Sequence, residues 1–257
     1  MLATAKLLDQ RSFGVLNFSM GKSGPHVLRE EGASKLRLPR GSTQAIIINT
    51  GGGLAGGDRF EHNFSCSAHA TLTLTSQAAE RVYQTLGPPA QISTQISVAQ
   101  SGQLFWLPHE TILYDDASLQ RSYEVKLASS AKFLSVELII FGRTEMHEKI
   151  SSIQLRDHWR IWREGELVHA EDLKLGPKPP TSKATLNGSN AMATLVYVAD
   201  DAETRLAAMR DFAAASAWNG KLVARFIAKD GYTLRKALIP AINALAGAEA
   251  LPKIWTL

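Results

Sequence analysis

Five glycines fall within seven positions, Gly51-Gly52-Gly53-Leu54-Ala55-Gly56-Gly57, and Asp58 follows them. The run continues from Ala45-Ile46-Ile47-Ile48, an apolar segment with the character of a buried strand. Gly51, Gly53 and Gly56 satisfy G-x-G-x-x-G, the spacing that lets a backbone approach a pyrophosphate. That chemistry needs a helix opening at the last glycine, because the phosphate rests on the free N–H groups of its first turn. Here Phe60, His62, Phe64, Cys66 and Ala68 alternate with Glu61, Asn63, Ser65 and Ser67, and Thr71-Leu72-Thr73-Leu74-Thr75 follows. That is strand chemistry. No Gly-Lys-Ser/Thr closes the run, so a P-loop fails as well. A nucleotide- or phosphate-binding enzyme built on Gly51–Gly57 is therefore the alternative reading. The glycines otherwise fit a tight connection with positive φ angles, or a close backbone approach to a partner or polar passage, with Asp58 supplying a carboxylate.

His62-x-x-x-Cys66-x-x-His69 is the most metal-like cluster, since imidazole and thiolate suit Ni²⁺ or Zn²⁺. On a continuous strand His62 and Cys66 share a face about 13 Å apart while His69 points the other way, so one ion cannot join them. A conduit for a metal needs weak, mostly oxygen ligands, which turns attention to Asp58 and to Glu110 as transit candidates. Glu110 ends Trp106-Leu107-Pro108-His109-Glu110, in which Trp106 and Leu107 read as core residues at a strand end closed by Pro108. Arg143 has Glu137 and Glu148 within reach as ion-pair partners. No G-x-S-x-G and no H-E-x-x-H is present, and nothing else organises a catalytic residue.

The elements that must position these residues are mostly strands. Alternation of period two runs through Ile92–Val98, Leu119–Leu127, Leu134–Ile140 and Ile153–Ile161, with Asp157 as an exception on an apolar face. Glu164-Gly165-Glu166 reads as a hairpin turn before Leu167-Val168. Gly176-Pro177-Lys178-Pro179-Pro180 opens a loop over 176–189. Beyond it, Met192–Val198 and Leu222–Ala228 read as strands. Asp200 and Glu203 form a capping pair before a helix carrying Leu206, Met209 and Ala213, with Asn219-Gly220 as its stop. Leu234, Leu238, Ile242 and Leu245 mark a second helix, in which Pro240 sits near the start or produces a kink.

The 257 residues carry 45% hydrophobic and 20% charged side chains and a formal net charge of +4, an ordinary globular mixture. The basic residues are scattered, which argues against nucleic acid as a partner. Cys66 is the single cysteine, so no intrachain disulfide forms. Charged residues break up Met1–Ser19, leaving no signal-peptide core, and no segment reaches the ~18 apolar residues of a membrane span. A cytoplasmic protein without a membrane partner is expected.

Gly52-Gly53-Leu54-Ala55-Gly56-Gly57-Asp58-Arg59 resembles the signature of the urease accessory protein family UreD, also called UreH. Further blocks follow in that family's order. They are Ser76 to Tyr83 with Gln77 and Tyr83, Leu104 to Ile112 with Trp106, Leu107, Pro108 and Glu110, Glu137 to Gly142-Arg143 and then Glu148, and Pro252-Lys253-Ile254-Trp255. Thr50-Gly51, His147 and Lys253 depart from the family's usual residues.

The resemblance implies a mainly β fold with β-helix-like stacked sheets and about two α-helices in the C-terminal third. It implies one UreD-like domain over 1–257, β-rich over 1–175, a loop over 176–189, and a strand-and-helix part over 190–257. It further implies no catalysis and no permanently bound cofactor. The role would be that of a chaperone in metallocentre assembly, working with UreF-like and UreG-like accessory proteins and the urease apoprotein. Transient Ni²⁺, passing through an internal polar tunnel, belongs to the same expectation. A generic β-rich interaction module serving another client is the remaining alternative.

Overall fold

The computed structural model describes residues 11–143, 146 and 148–255. The N-terminal residues 1–10 and His147 lie outside the described residues. The chain opens with β1 (Phe13–Gly21), β2 (Gly24–Gly32), β3 (Ser34–Arg37) and β4 (Gln44–Asn49). Next come β5 (Arg59–Cys66), β6 (Thr71–Ser76), β7 (Glu80–Val82), β8 (Ala90–Val98), β9 (Gln103–Trp106) and β10 (Thr111–Leu113). The long strands β11 (Ala117–Leu127), β12 (Lys132–Phe141), β13 (Ile153–Arg163) and β14 (Glu166–Leu175) follow. The remainder is β15 (Ala191–Val198), α1 (Leu206–Arg210), β16 (Ala214–Trp218), β17 (Lys221–Ala228) and α2 (Gly231–Ala246).

From β4 to β13 the chain crosses back and forth between two facing sheets, which makes the architecture a β-solenoid-like stack. The first sheet runs β14-β13-β11-β8-β5-β1-β2, and the second runs β16-β17-β15-β12-β9-β6-β4-β3, with β10 and β7 attached beside β12. From β1 through β13 the first sheet is parallel and in register, so equivalent residues stack in rows. Leu16, His62, Thr94, Tyr123 and Trp159 form one such row, and Phe18, Phe64, Ile96, Val125 and Ile161 form the next. All but His62 and Thr94 in these rows are apolar or aromatic and buried, so each coil extends the same hydrophobic core.

The second sheet is covered on both faces. Nine of the ten residues of β12 are buried, because one face meets the first sheet and the other meets α2. Leu234, Leu238, Ile242 and Leu245 line the buried face of α2, as the helical spacing predicts. Asp230 caps the helix by accepting the Thr233 N–H at 2.7 Å. Pro240 sits tenth of sixteen residues, well past the start, where it leaves the Lys236 carbonyl without its helical donor.

Several expectations in the C-terminal part change. Asp200 and Glu203 do not cap α1: Asp200 pairs with Arg163 and Glu203 accepts the Gly220 N–H, while α1 begins after Arg205 without a side-chain cap. Asn219-Gly220 is a β-hairpin turn between β16 and β17, both residues having positive φ, and Ala213 lies outside the helix. Tertiary pairing with β17 outweighs the weak local preference of an alanine-rich segment for helix. Ile46, Ile47 and Ile48 form the expected strand but are half-buried, because β4 lies near the sheet edge. Among the described residues no helix is long and apolar enough to cross a membrane.

Candidate functional site

The glycine segment is a closed connection into β5. Gly52, Gly53 and Gly57 have φ of 75°, 152° and 84°, conformations that L side chains rarely adopt. A Cβ on Gly53 would meet the Tyr83 ring at 2.4 Å, so the backbone and the aromatic ring are in direct contact. The Tyr83 hydroxyl donates to the Gly52 carbonyl at 2.9 Å. Leu54 is fully buried and its N–H donates to the Arg81 carbonyl. The N–H groups of Gly51, Gly52, Gly57 and Asp58 are bonded within the chain as well, and β5 rather than a helix follows. These donors are spent internally, which leaves the dinucleotide chemistry without its cradle.

Asp58 is the lock of this connection. One carboxylate oxygen accepts the Ser12 N–H at 2.7 Å and the other accepts the Ala55 N–H at 2.8 Å. Beside it, Asn49 donates to both the Gly53 carbonyl and the Glu80 carboxylate. Burial, with Asp58 adding a like charge, raises the Glu80 carboxyl to about 7 against the opposing hydrogen bond from Asn49.

Glu80 begins a polar seam between the two sheets. In the register of β7 and β10 it is paired with Thr111, whose hydroxyl accepts from Arg121 at 3.2 Å. The buried Arg121 guanidinium then bridges Glu137 of the opposite sheet and Asp157 of its own, each at 2.6 Å. Trp106 Nε1 and the Tyr123 hydroxyl both donate to Glu137, at 2.6 and 2.5 Å, and Trp159 Nε1 donates to Asp157 at 2.9 Å. Leu119 and Leu155 pack on one side of this layer and Tyr123 and Trp159 on the other, so it interrupts an otherwise apolar core. Burial works against the Arg121 charge, but Asp157 and Glu137 outweigh it and hold its pKa above the ordinary value. Burial likewise raises the Glu137 carboxyl, with Arg121 opposing and Asp157 reinforcing the shift. One cation thus faces two carboxylates in this layer.

The remaining sequence-identified residues are distributed around this frame. Trp106 and Leu107 are core residues at the end of β9, as expected, and Leu107 leads through Pro108 to Glu110. Glu110 turns toward α2, where it accepts from Arg235 at 2.5 Å. Arg143 pairs with Glu148 rather than Glu137, through two side-chain hydrogen bonds and one backbone N–H, and so fixes the bend at Gly142 (φ 78°). Gln77 is exposed, and Trp255 is buried with its Nε1 donating to the Leu107 carbonyl at 3.0 Å.

His62, Cys66 and His69 do not converge. His62 is buried and held neutral, its pKa lowered to about 4 by burial. The Cys66 thiol donates to backbone carbonyls and is pushed up to about 11 by burial, while His69 lies exposed in a turn. Among the described residues no three His, Cys, Asp or Glu side chains are placed to hold a metal ion.

Sequence reasoning missed Arg121, Glu80 and Thr111. The signal existed for Arg121: it occupies the inward phase of β11, two residues from both Leu119 and Tyr123. The odd placement of Asp157 was its mirror image on the neighbouring strand.

Comparison with known proteins matches residues 12–256 to the sequence model of the family described as UreD urease accessory protein. A protein of Sinorhizobium medicae (strain WSM419) named Urease accessory protein UreD is 42% identical over 277 residues, covering 100% of both chains. One of the same name from Chelativorans sp. (strain BNC1) is 42% identical, covering 92% of this chain and 90% of its own. Another, from Mesorhizobium japonicum, is 37% identical over 97% of this chain and 96% of its own.

Proposed function

The chain belongs to the UreD family of urease accessory proteins, and we propose that it acts as a scaffold that docks on apo-urease with UreF and UreG and assists Ni²⁺ insertion. Family membership carries the broader role in urease maturation. The observation that supports a passage for the ion is the polar seam from Glu80 through Thr111 and Arg121 to Glu137 and Asp157. Such a layer is a poor way to stabilise a core, because taking charges out of water costs more than their attraction commonly returns.

As a route, the seam has suitable chemistry. Carboxylate and hydroxyl oxygens are weaker partners for Ni²⁺ than imidazole or thiolate, so the cargo can be handed on. As the divalent ion arrives at Glu137, Arg121 gives up one of its two carboxylates and keeps the other. Asp58 stands beside Glu80 at the glycine end, and Glu110 stands at the α2 side of the same region, as the two outer transit candidates. None of these groups is asked to perform catalysis.

The test is Glu137→Gln, which keeps the shape and the acceptor for Trp106 while removing the charge. Co-expressed with urease and its other accessory proteins, the variant should co-purify with UreF and urease normally yet yield urease with a several-fold lower nickel content. Fully nickel-loaded urease from a folded, assembled variant would remove the seam from the route. Failure of the wild-type chain to co-purify with either partner would remove the scaffold reading itself.

A further inference from the structure

At the end of the sandwich opposite the glycine segment, three turns from separate parts of the chain converge. β1 and β5 run parallel and terminate together, β3 ends beside them, and β4 and β6 begin there. The turn after β1 carries Lys22, the loop after β3 carries Arg40, and the turn after β5 carries His69. Each connection thus contributes one basic side chain to the same cleft, whose volume is 610 Å³.

Hydroxyls of Ser42, Thr43 and Thr71 share the lining, and buried Met20 and Ala70 form part of its floor. No carboxylate is among the described residues that line it. Neither Lys22 nor Arg40 has an ion pair or hydrogen bond among the described residues, although ion pairs are common elsewhere on this surface. His69 is held at φ 58°, a left-handed conformation uncommon for a residue with a side chain. The Ser42 hydroxyl accepts the Gln44 N–H at 3.1 Å and keeps its own hydrogen to donate.

We propose that this cleft binds a phosphate-class oxyanion, with Arg40 and Lys22 as its charged ligands and the hydroxyls and His69 as hydrogen-bond donors. The planar guanidinium can meet two oxygens of a tetrahedral anion at once, while the lysine supplies a compact charge on a flexible stem. The chemistry that the glycine run advertises in sequence is thus supplied at the other end of β5, by side chains instead of backbone.

The experiment is calorimetric titration of the full-length protein with inorganic pyrophosphate at low salt, beside the double variant Lys22→Ala/Arg40→Ala. Both side chains are exposed, so the variant should fold, and circular dichroism checks that it does. Wild-type protein should bind, and the double variant should bind at least about tenfold more weakly, as expected for lost charge-assisted contacts. His69→Ala should produce a smaller loss. Absence of wild-type binding up to about 10 mM, weaker than any useful affinity, would overturn the proposal. Binding that the double variant retains unchanged would overturn it equally. Neither result bears on urease maturation, which is read from nickel content.

Discussion

The second sheet faces two cores of opposite character. On its outer side, Leu134, Val136, Leu195, Ala224, Leu234, Leu238 and Ile242 pack with Trp255 into a cluster of buried apolar residues. On its inner side, Glu137 projects into a layer of charges that divides the apolar contents of the sandwich in two. The same strand, β12, supplies both: Val136 and Leu138 face the helix while Glu137 faces Arg121. The outer core needs only shape and apolar area to hold α2 in place. The inner one retains groups whose desolvation is a standing cost, which points to a use other than stability.

Breaking the inner core should have the largest effect. Arg121→Met would leave two buried carboxylates without their cation and is expected to cost about 3–5 kcal/mol in urea denaturation. Adding Glu137→Leu and Asp157→Leu to it should return stability to within about 1 kcal/mol of wild type or above it. That triple variant should nevertheless fail to activate urease; normal activation would reduce the seam to packing.

The outer core gives the contrasting result. Leu238→Ala should cost about 2–4 kcal/mol by leaving a cavity under α2, while urease activation per folded molecule stays unchanged. Reduced nickel loading by the folded variant would blur the division between the two cores. Asp58→Ala removes the acceptor for two backbone N–H groups and should cost about 1–3 kcal/mol. Assembly with UreF and urease should survive, with nickel-poor urease as the product if Asp58 lies on the route.

The smallest effect concerns pH. Burial raises the Glu80 carboxyl from 4.5 to about 7, so between these values the folded chain holds a proton that the unfolded chain has released. Stability therefore falls as pH rises through that window. Glu80→Gln should flatten the fall and raise stability at pH 8 by about 1 kcal/mol, less than the full shift because the side chain is only half-buried. Melting temperatures of both proteins at pH 5 and pH 8 would decide it.

Much of the inner architecture is written in the alternation of β5, β8, β11 and β13, because each has one buried and one solvated face. The second sheet is less legible. β6, β12 and β15 are covered on both sides, so Thr73, Thr75 and Ser135 are as buried as the leucines beside them and the period of two fades. The glycine segment was readable as a connection from the strand after it. The seam was half readable. Asp157 stood out against its apolar neighbours, but Glu137 belongs to another strand of another sheet, and no spacing along one chain shows that Arg121 joins them. Local signals also misled around α1, where a capping-like pair serves distant partners instead.

Trp255 has a consequence for how the chain is made. Its indole N–H satisfies the Leu107 carbonyl 148 residues earlier, and the Ala250 carbonyl accepts from Thr73, 177 residues earlier. The centre of the second sheet therefore waits, with these polar groups unanswered, until residues 250–255 have left the ribosome. Contacts closing so long a loop form late and slowly. A nascent chain stalled before residue 231, ahead of α2, presents a strand-rich, half-covered sheet to its surroundings, the condition in which association with other chains competes with folding. A chain truncated before Trp255 should thus be felt less as a lost contact than as a failure of the protein to leave synthesis in soluble form.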